Sequence, residues 1–251
     1  QRMKVDPFFD IYLVVTGICL LEIHGNDVDY IKNDGFEINA RLKMFKKDHL
    51  DTGGEMVRSM ARVMSLLVDE LEKANPDIVL SGFDIGANMA VTIAAAHMNI
   101  PVAHIQGGEV TGSIDESIRH AMSKFSHIHF PATELSKKRL IRMGENPDNI
   151  YVVGCPSIDV ICKTPMVEIE TLEEYFQLDF NKPVLLMIQH PVTTEAEDSF
   201  LQIQETVDAI REVAVPTVAL LPNNDAGYLK IIDYIKESGI KWYPSLPTNI
   251  F

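Results

Sequence analysis

The chain has 251 residues, 46% of them hydrophobic and 23% charged, an ordinary globular composition with room for one large or two medium domains. A formal net charge of −14 and a pI near 4.9 exclude a general nucleic-acid-binding surface, and no apolar run reaches the length of a membrane span. Cys19, Cys155 and Cys162 form neither a CxxC pair nor an even framework, and the amino terminus has no signal-peptide pattern, so a reducing, cytoplasmic location is the expectation.

Apolar runs alternate with amphipathic stretches along the chain. Residues 11–16 (IYLVVT) predict a buried strand ending at Gly17. Residues 54–74 predict a helix, because Val57, Met60, Ala61, Met64, Leu67, Val68 and Leu71 recur at helical spacing, and Asn75-Pro76-Asp77 stops it. Strand 78–80 follows and opens into a glycine-flanked loop holding Asp84; residues 89–99 form a small-residue helix suited to close packing on a sheet. The pattern continues with strand 101–105, helix 113–125, strand 128–131, helix 134–143 and strand 151–153. Residues 163–179 are polar and less regular and read as a linker with a helix. Strand 184–189, helix 196–213, strand 217–221, helix 226–238 and a strand starting at 241–243 complete the series.

Strands separated by helices imply parallel βαβ units and doubly wound sheets, hence an α/β protein with two Rossmann-like domains, 1–164 and 165–251. The second domain offers about three strands where such sheets usually have roughly five or six, and residues 1–8 read as the tail of an element. An internal piece of a longer protein, truncated at both ends, is therefore expected.

The chemistry concentrates after strand ends. Residues 104–120 (HIQGGEVTGSIDESIRH) leave a strand, pass two glycines and enter a helix bearing Asp115, Arg119 and His120, with Glu109 in the loop. This is how α/β enzymes build sites at the carboxyl ends of parallel strands, and these residue types supply proton transfer and anion binding. Asp84 is a candidate catalytic carboxylate, although an Asx turn or helix cap explains its position as well. Ser113 to Glu116 matches a capping box, which assigns Glu116 to structure through a bond to the Ser113 amide. Asp115 is placed to pair with Arg119 at i,i+4. His120, His127 and His129 fit no common zinc spacing, and no metal is expected. His190, ahead of a helix capped by Thr194 and Glu197, is placed to meet an anion. Asn223 lies in PNNDAG after the next strand, where ordinary turn chemistry is the competing explanation.

The stretches HIQGGEVTGSIDESIRHAMSKFSHIHF (104–130), VGCPSID (153–159), QHPVTT (189–194) and PNNDAG (222–227) resemble the hydrolysing UDP-N-acetylglucosamine 2-epimerases, and the similarity runs over nearly the whole chain. The resemblance implies the two-domain glycosyltransferase-B fold with a sugar nucleotide in its cleft. It implies elimination of UDP with loss of the C2 proton to give 2-acetamidoglucal, then hydration to N-acetylmannosamine, as in sialic-acid biosynthesis. Carried over by position, Asp84 and Asp115 are the catalytic acids, with Arg119 beside Asp115 and His190 facing the diphosphate. Asn223 lies in the nucleotide pocket, and Glu109, Gln106, Gly107 and Gly108 form the loop against the sugar.

No cofactor is implied; the expected partners are a UDP-sugar and further copies of the chain in a homodimer or higher oligomer, not nucleic acid or membrane. The chain departs from the family pattern at Gln106 (often glutamate), at Ile85 (an arginine position, in a loop one residue longer) and at Cys19 (a histidine position). A family arginine-bearing loop is expected to precede residue 1 and a GNSSSG-type diphosphate loop to follow residue 251, so this piece is expected to bind UDP poorly. Two other readings stay open: a related enzyme, non-hydrolysing or acting on a diacetamido sugar, and, from these departures, a degenerate, non-catalytic sugar-nucleotide-binding protein.

Overall fold

In the computed structural model, which describes residues 2–25, 27–47, 49–83, 85–247 and 249–251, every strand pairing among the described residues is parallel. The chain divides into two compact units. Gln1–Gly17, Asp34–Lys47 and Val57–Ile161 form one; Ile18–Asn33, Asp48–Met56 and Cys162–Phe251 form the other. The second unit thus includes two segments, 18–33 and 48–56, that come early in the sequence.

In the first unit, β1 (Val14–Thr16) pairs with β2 (Ala40–Leu42). A second sheet has the order β3 (Val79–Gly82), β4 (Val102–Ile105), β5 (Ile128–Phe130), with Ser81, His104 and His129 in register. The long helix Gly53–Ala74, which belongs to this unit from Val57 onward, is capped by Thr52, whose hydroxyl accepts from the Glu55 amide at 3.2 Å. It buries Val63 and Leu67 against Leu42, Met44, Ala87 and Ala90, and ends where Asn75 takes a positive φ of 44° ahead of Pro76. The helix Gly86–His97 approaches the sheet closely because its buried positions are alanines and Thr92, whose hydroxyl donates to Ser81 Oγ at 2.9 Å.

In the second unit, β6 (Leu185–Ile188), β7 (Thr217–Leu220) and β8 (Lys241–Tyr243) form a sheet in that order. Ile203 and Val207 of the helix Ser199–Val213 and Ile231, Ile232 and Ile235 of the helix Tyr228–Glu237 pack around Met187, Ala219 and Leu221.

Three local expectations change. The predicted strand 151–153 is reduced to a bridge between Ile150 and His129: Tyr151 and Val153 donate to the carbonyls of His129 and Pro131, so alternate residues track the β5 edge without a ladder. The predicted helix 196–213 begins instead as a 3-10 turn, Thr193–Asp198, because Glu195 breaks the helical path at φ −128°, ψ 28°. Its start has no side-chain cap, so neither Thr194 nor Glu197 serves as one. Periodicity assigned nothing to residues 17–53, where the chain forms 3-10 turns, the short helix Val28–Asn33 and the three-residue β2.

The loop leaving β4 is set by close packing. An added Cβ at Gly108, where φ is +82°, would lie 2.5 Å from the Ser136 carbonyl oxygen and 3.0 Å from Leu140. Gly112, at φ +73°, has open space around it. Both alanine substitutions carry the backbone cost of the left-handed region, so their difference isolates packing. Gly108→Ala is expected to cost about 3 kcal/mol and Gly112→Ala about 1 kcal/mol in urea unfolding.

Two histidines lie inside the β4–β5 layer. His104 is fully buried, with Nδ1 3.1 Å from Ser123 Oγ, and His129 is 1% exposed, with Nε2 3.1 Å from Glu145 Oε2. Burial pushes the His104 imidazole down to about 4, with His129 and Arg119 adding to the effect, and burial also lowers His129 despite Glu145. A group depressed in the folded state favours folding above its ordinary value near 6.5 and loses that contribution as pH falls toward 4. His104 alone corresponds to ~3 kcal/mol at the acid end. The melting temperature is expected to fall steeply between pH 6.5 and 4, with a flatter slope in His104→Asn.

Candidate functional site

The carboxyl end of β4 carries the richest polar set. The ladder to β5 extends one residue beyond β4, since the Gln106 amide donates to the Phe130 carbonyl at 3.0 Å while Gln106 itself turns to φ +61°. Its side chain is directed to Cys155, with Nε2 3.0 Å from Sγ. The main-chain amides of Ile158 and Ser157 at the start of the helix Pro156–Lys163 hold the Cys155 thiol below its usual range. Cys155 is a partner that sequence reasoning missed; it stands in the VGCPSID stretch (153–159), but 49 residues separate the pair. The Gly108 carbonyl accepts from Arg139 Nη1, which ties the loop to the helix Glu134–Arg142.

Arg119 is 5% exposed and donates from Nη1 to the Glu109 carbonyl at 3.0 Å. The guanidinium therefore fixes the loop backbone at Glu109, a candidate acid. Ser113 caps the helix Ile114–Phe125: its hydroxyl accepts from the Asp115 amide at 3.3 Å and donates to Asp115 Oδ2 at 2.9 Å. Asp115 is thus held by the serine two residues before it. Glu116 is structural, but with other partners than the capping box supplies. Its Oε2 accepts from the amides of Thr111 at 3.0 Å and Gly112 at 2.9 Å, not from Ser113. These amides, Gly112 first, hold its carboxyl below the usual range. The loop folds back over the helix start, bringing amides 111 and 112 to the oxygen that a regular capping box directs at the cap residue.

At the end of β3, the Asn88 side-chain amide donates to the Gly82 carbonyl, and Ser81 Oγ donates to the Asn88 carbonyl at 3.2 Å. Phe83 takes φ +63°, and Ile85 is the cap residue of the helix Gly86–His97. Asp84, between them, lies outside the described residues.

In the second unit, the structure brings His190 and Asn223 together. His190 is exposed past β6, and its Nδ1 accepts from the Asn223 amide at 3.1 Å. With Nδ1 accepting, the neutral ring carries its proton on Nε2, which is the donor a ligand would meet. The Asn223 side chain donates from Nδ2 to Asp225 Oδ2 at 2.7 Å. His190 stands at the strand end as expected, but the helix after it starts without the Thr194 and Glu197 caps, and the ring receives a loop amide.

The model of the family described as UDP-N-acetylglucosamine 2-epimerase matches residues 1–251. The UDP-N,N'-diacetylbacillosamine 2-epimerase (hydrolyzing) of Legionella pneumophila is 37% identical over 94% of this chain and 62% of its own length. The UDP-N-acetylglucosamine 2-epimerase of Neisseria meningitidis is 29% identical over 98% of this chain and 64% of its own. The crystal structure of UDP-GlcNAc 2-epimerase from Neisseria meningitidis bound to UDP-GlcNAc matches with a TM-score of 0.77, at 20% identity on superposition, over 99% of this chain and 68% of that one. The chain spans just under two thirds of the length of these two curated relatives. Its fold is α/β, with two Rossmann-like units of the glycosyltransferase-B type. By the match over its whole length, the chain belongs to the UDP-N-acetylglucosamine 2-epimerase family.

Proposed function

We propose that the protein is a hydrolysing 2-epimerase of a UDP-linked 2-acetamido sugar, converting UDP-N-acetylglucosamine and water to N-acetylmannosamine and UDP. The observation that carries this reading is the loop 106–113 after β4. It delivers Glu109 and Asp115 at a parallel strand end and is held by Arg119, Arg139 and Glu116 from its flanks. Preorganised acid/base groups are what a weakly acidic C2 proton requires.

In this reading the C2–H electron pair forms the C1=C2 bond as the C1–O bond breaks, and UDP leaves with that oxygen. Water then adds its hydroxyl to C1, and a proton returns to C2 on the opposite face. Asp115 and Asp84 are assigned the proton transfers. Arg119 acts through the Glu109 carbonyl to position the loop, and Glu109 contacts the sugar. Gln106 has no exchangeable acid proton and, with its amide directed to Cys155, shapes the loop with Gly107 and Gly108. His190 donates from Nε2 to the departing diphosphate, and Asn223 contacts the nucleotide. A soluble, cytoplasmic enzyme that self-associates and serves sialic-acid-type sugar synthesis completes the proposal.

A second substrate is favoured by a specific observation: the 37% identical relative is named for UDP-N,N'-diacetylbacillosamine. That sugar has a second acetamido group in place of the C4 hydroxyl and lacks the C6 hydroxyl, and the ratio of the two kcat/KM values ranks the substrates.

Proton NMR of UDP-N-acetylglucosamine in D2O with the intact protein tests the reaction. Free N-acetylmannosamine carrying deuterium at C2 is expected; no turnover of either sugar nucleotide would sink the catalytic reading and leave a binding protein. Asp115→Asn is expected to lower kcat by about 10²–10⁴-fold with KM little changed. His190→Ala is expected to lower kcat/KM by about 10²-fold, and a loss in KM alone would reassign His190 to ground-state binding.

A further inference from the structure

The helix Tyr228–Glu237 starts without a side-chain cap of its own, because its cap residue is Gly227. The acceptors for its first turn come from Asp51, 176 residues earlier. Asp51 Oδ1 accepts from the Gly227 amide at 2.8 Å, and Oδ2 accepts from the Leu229 amide at 3.0 Å. Both carboxylate oxygens thus serve main-chain donors at the positive end of a helix dipole, where a negative charge is favoured. Asp51 is itself fixed in the chain directly before Thr52, the cap of the helix Gly53–Ala74.

The neighbouring contacts restrict the same point. Tyr228 is 2% exposed, and its hydroxyl lies 3.0 Å from His49 Nε2. Its ring stacks on His49 at 6.3 Å and 9°, and lies 5.6 Å from the His24 ring. Burial, with the Asp51 charge, pushes the Tyr228 phenol up to about 12, so it stays a neutral hydroxyl. On the other side, an added Cβ at Gly227 would lie 2.3 Å from Ser199 Oγ and 3.1 Å from the Ala196 carbonyl oxygen. Gly227 is therefore gripped between Asp51 and the Ala196–Ser199 segment. The loop that it closes begins at Pro222 and carries Asn223, whose amide donates to His190.

We propose that Asp51 is a positioning residue for the nucleotide-facing pair His190 and Asn223: its carboxylate clamps Gly227 and Leu229 and so holds the 222–227 loop against the His190 ring. The assignment of that pair to the nucleotide rests on the function proposed above. Asp51 touches neither residue, and it acts through five residues of loop backbone.

The test uses the intact protein, its Asp51→Ala variant and the isosteric Asp51→Asn variant, which keeps one carbonyl acceptor and covers the case in which alanine prevents folding. Amide hydrogen exchange is followed across residues 222–229, and UDP binding is measured by calorimetry on the same samples. Exchange at 222–229 is expected to quicken at least about tenfold in Asp51→Ala while β6 and the helix Ser199–Val213 keep their protection. The UDP dissociation constant is expected to rise about tenfold, with Asp51→Asn intermediate. In turnover, kcat/KM should fall about tenfold, with kcat lowered because His190 serves the departing diphosphate and KM raised because Asn223 serves the bound nucleotide; the rise in KM is the part that general loss of stability does not produce. Unchanged exchange at 222–229 overturns the clamp, and faster exchange with unaltered UDP affinity reduces Asp51 to a stability cap. A parent protein that does not bind UDP overturns the nucleotide assignment of His190 and Asn223, while the exchange data still decide separately whether Asp51 holds the loop.

Discussion

The backbone around Gly108 leaves no space for a side chain, and the chemistry-bearing part of the first unit depends on that constraint. The Ser136 carbonyl lies where a Cβ would be, and the Gly108 carbonyl is held by Arg139 from the same helix. With this point fixed, the chain reaches Glu109, whose carbonyl receives the buried Arg119, and then folds back so that Glu116 gathers two amides. The placement of Asp115 follows from this scaffold and from Ser113. The site is thus shaped by main-chain hydrogen bonding to charged groups, which exceed neutral bonds in strength.

The parts of the fold that repeat over many residues were legible in the sequence. The helix 54–74 differs by one residue at its start, and the helix 113–125 is found with Ser113 as its cap. β8 is found where its three residues predict it. β2 was illegible because three residues contain too little alternation to stand out from a loop. The 151–153 segment was over-read because a β-rich tripeptide looks the same whether it joins a sheet or only runs along its edge.

For the candidate site, the sequence offers residue types but not their partners. Sequence spacing favoured Asp115 with Arg119 and Glu116 with the Ser113 amide, whereas the structure directs Arg119 to a loop carbonyl and Glu116 to residues 111 and 112. Spacing along a helix measures distance on its surface; it contains no information about where the preceding loop returns. His129 with Glu145 and Gln106 with Cys155 are separated by 16 and 49 residues, and Asp51 with Gly227 by 176, so no local pattern marks them.

The oxygens of Glu116 and Ser113 have a consequence for ligand charge. They take up the Thr111, Gly112 and Asp115 amides at the entry to the helix Ile114–Phe125, a place where many α/β proteins seat a phosphate. Asp51 does the same at Gly227 and Leu229 in the other unit. Each of these two helix entries already contains a carboxylate of the protein. At these two entries the main-chain amides are already taken and the local charge is negative, so an incoming anion is repelled from both.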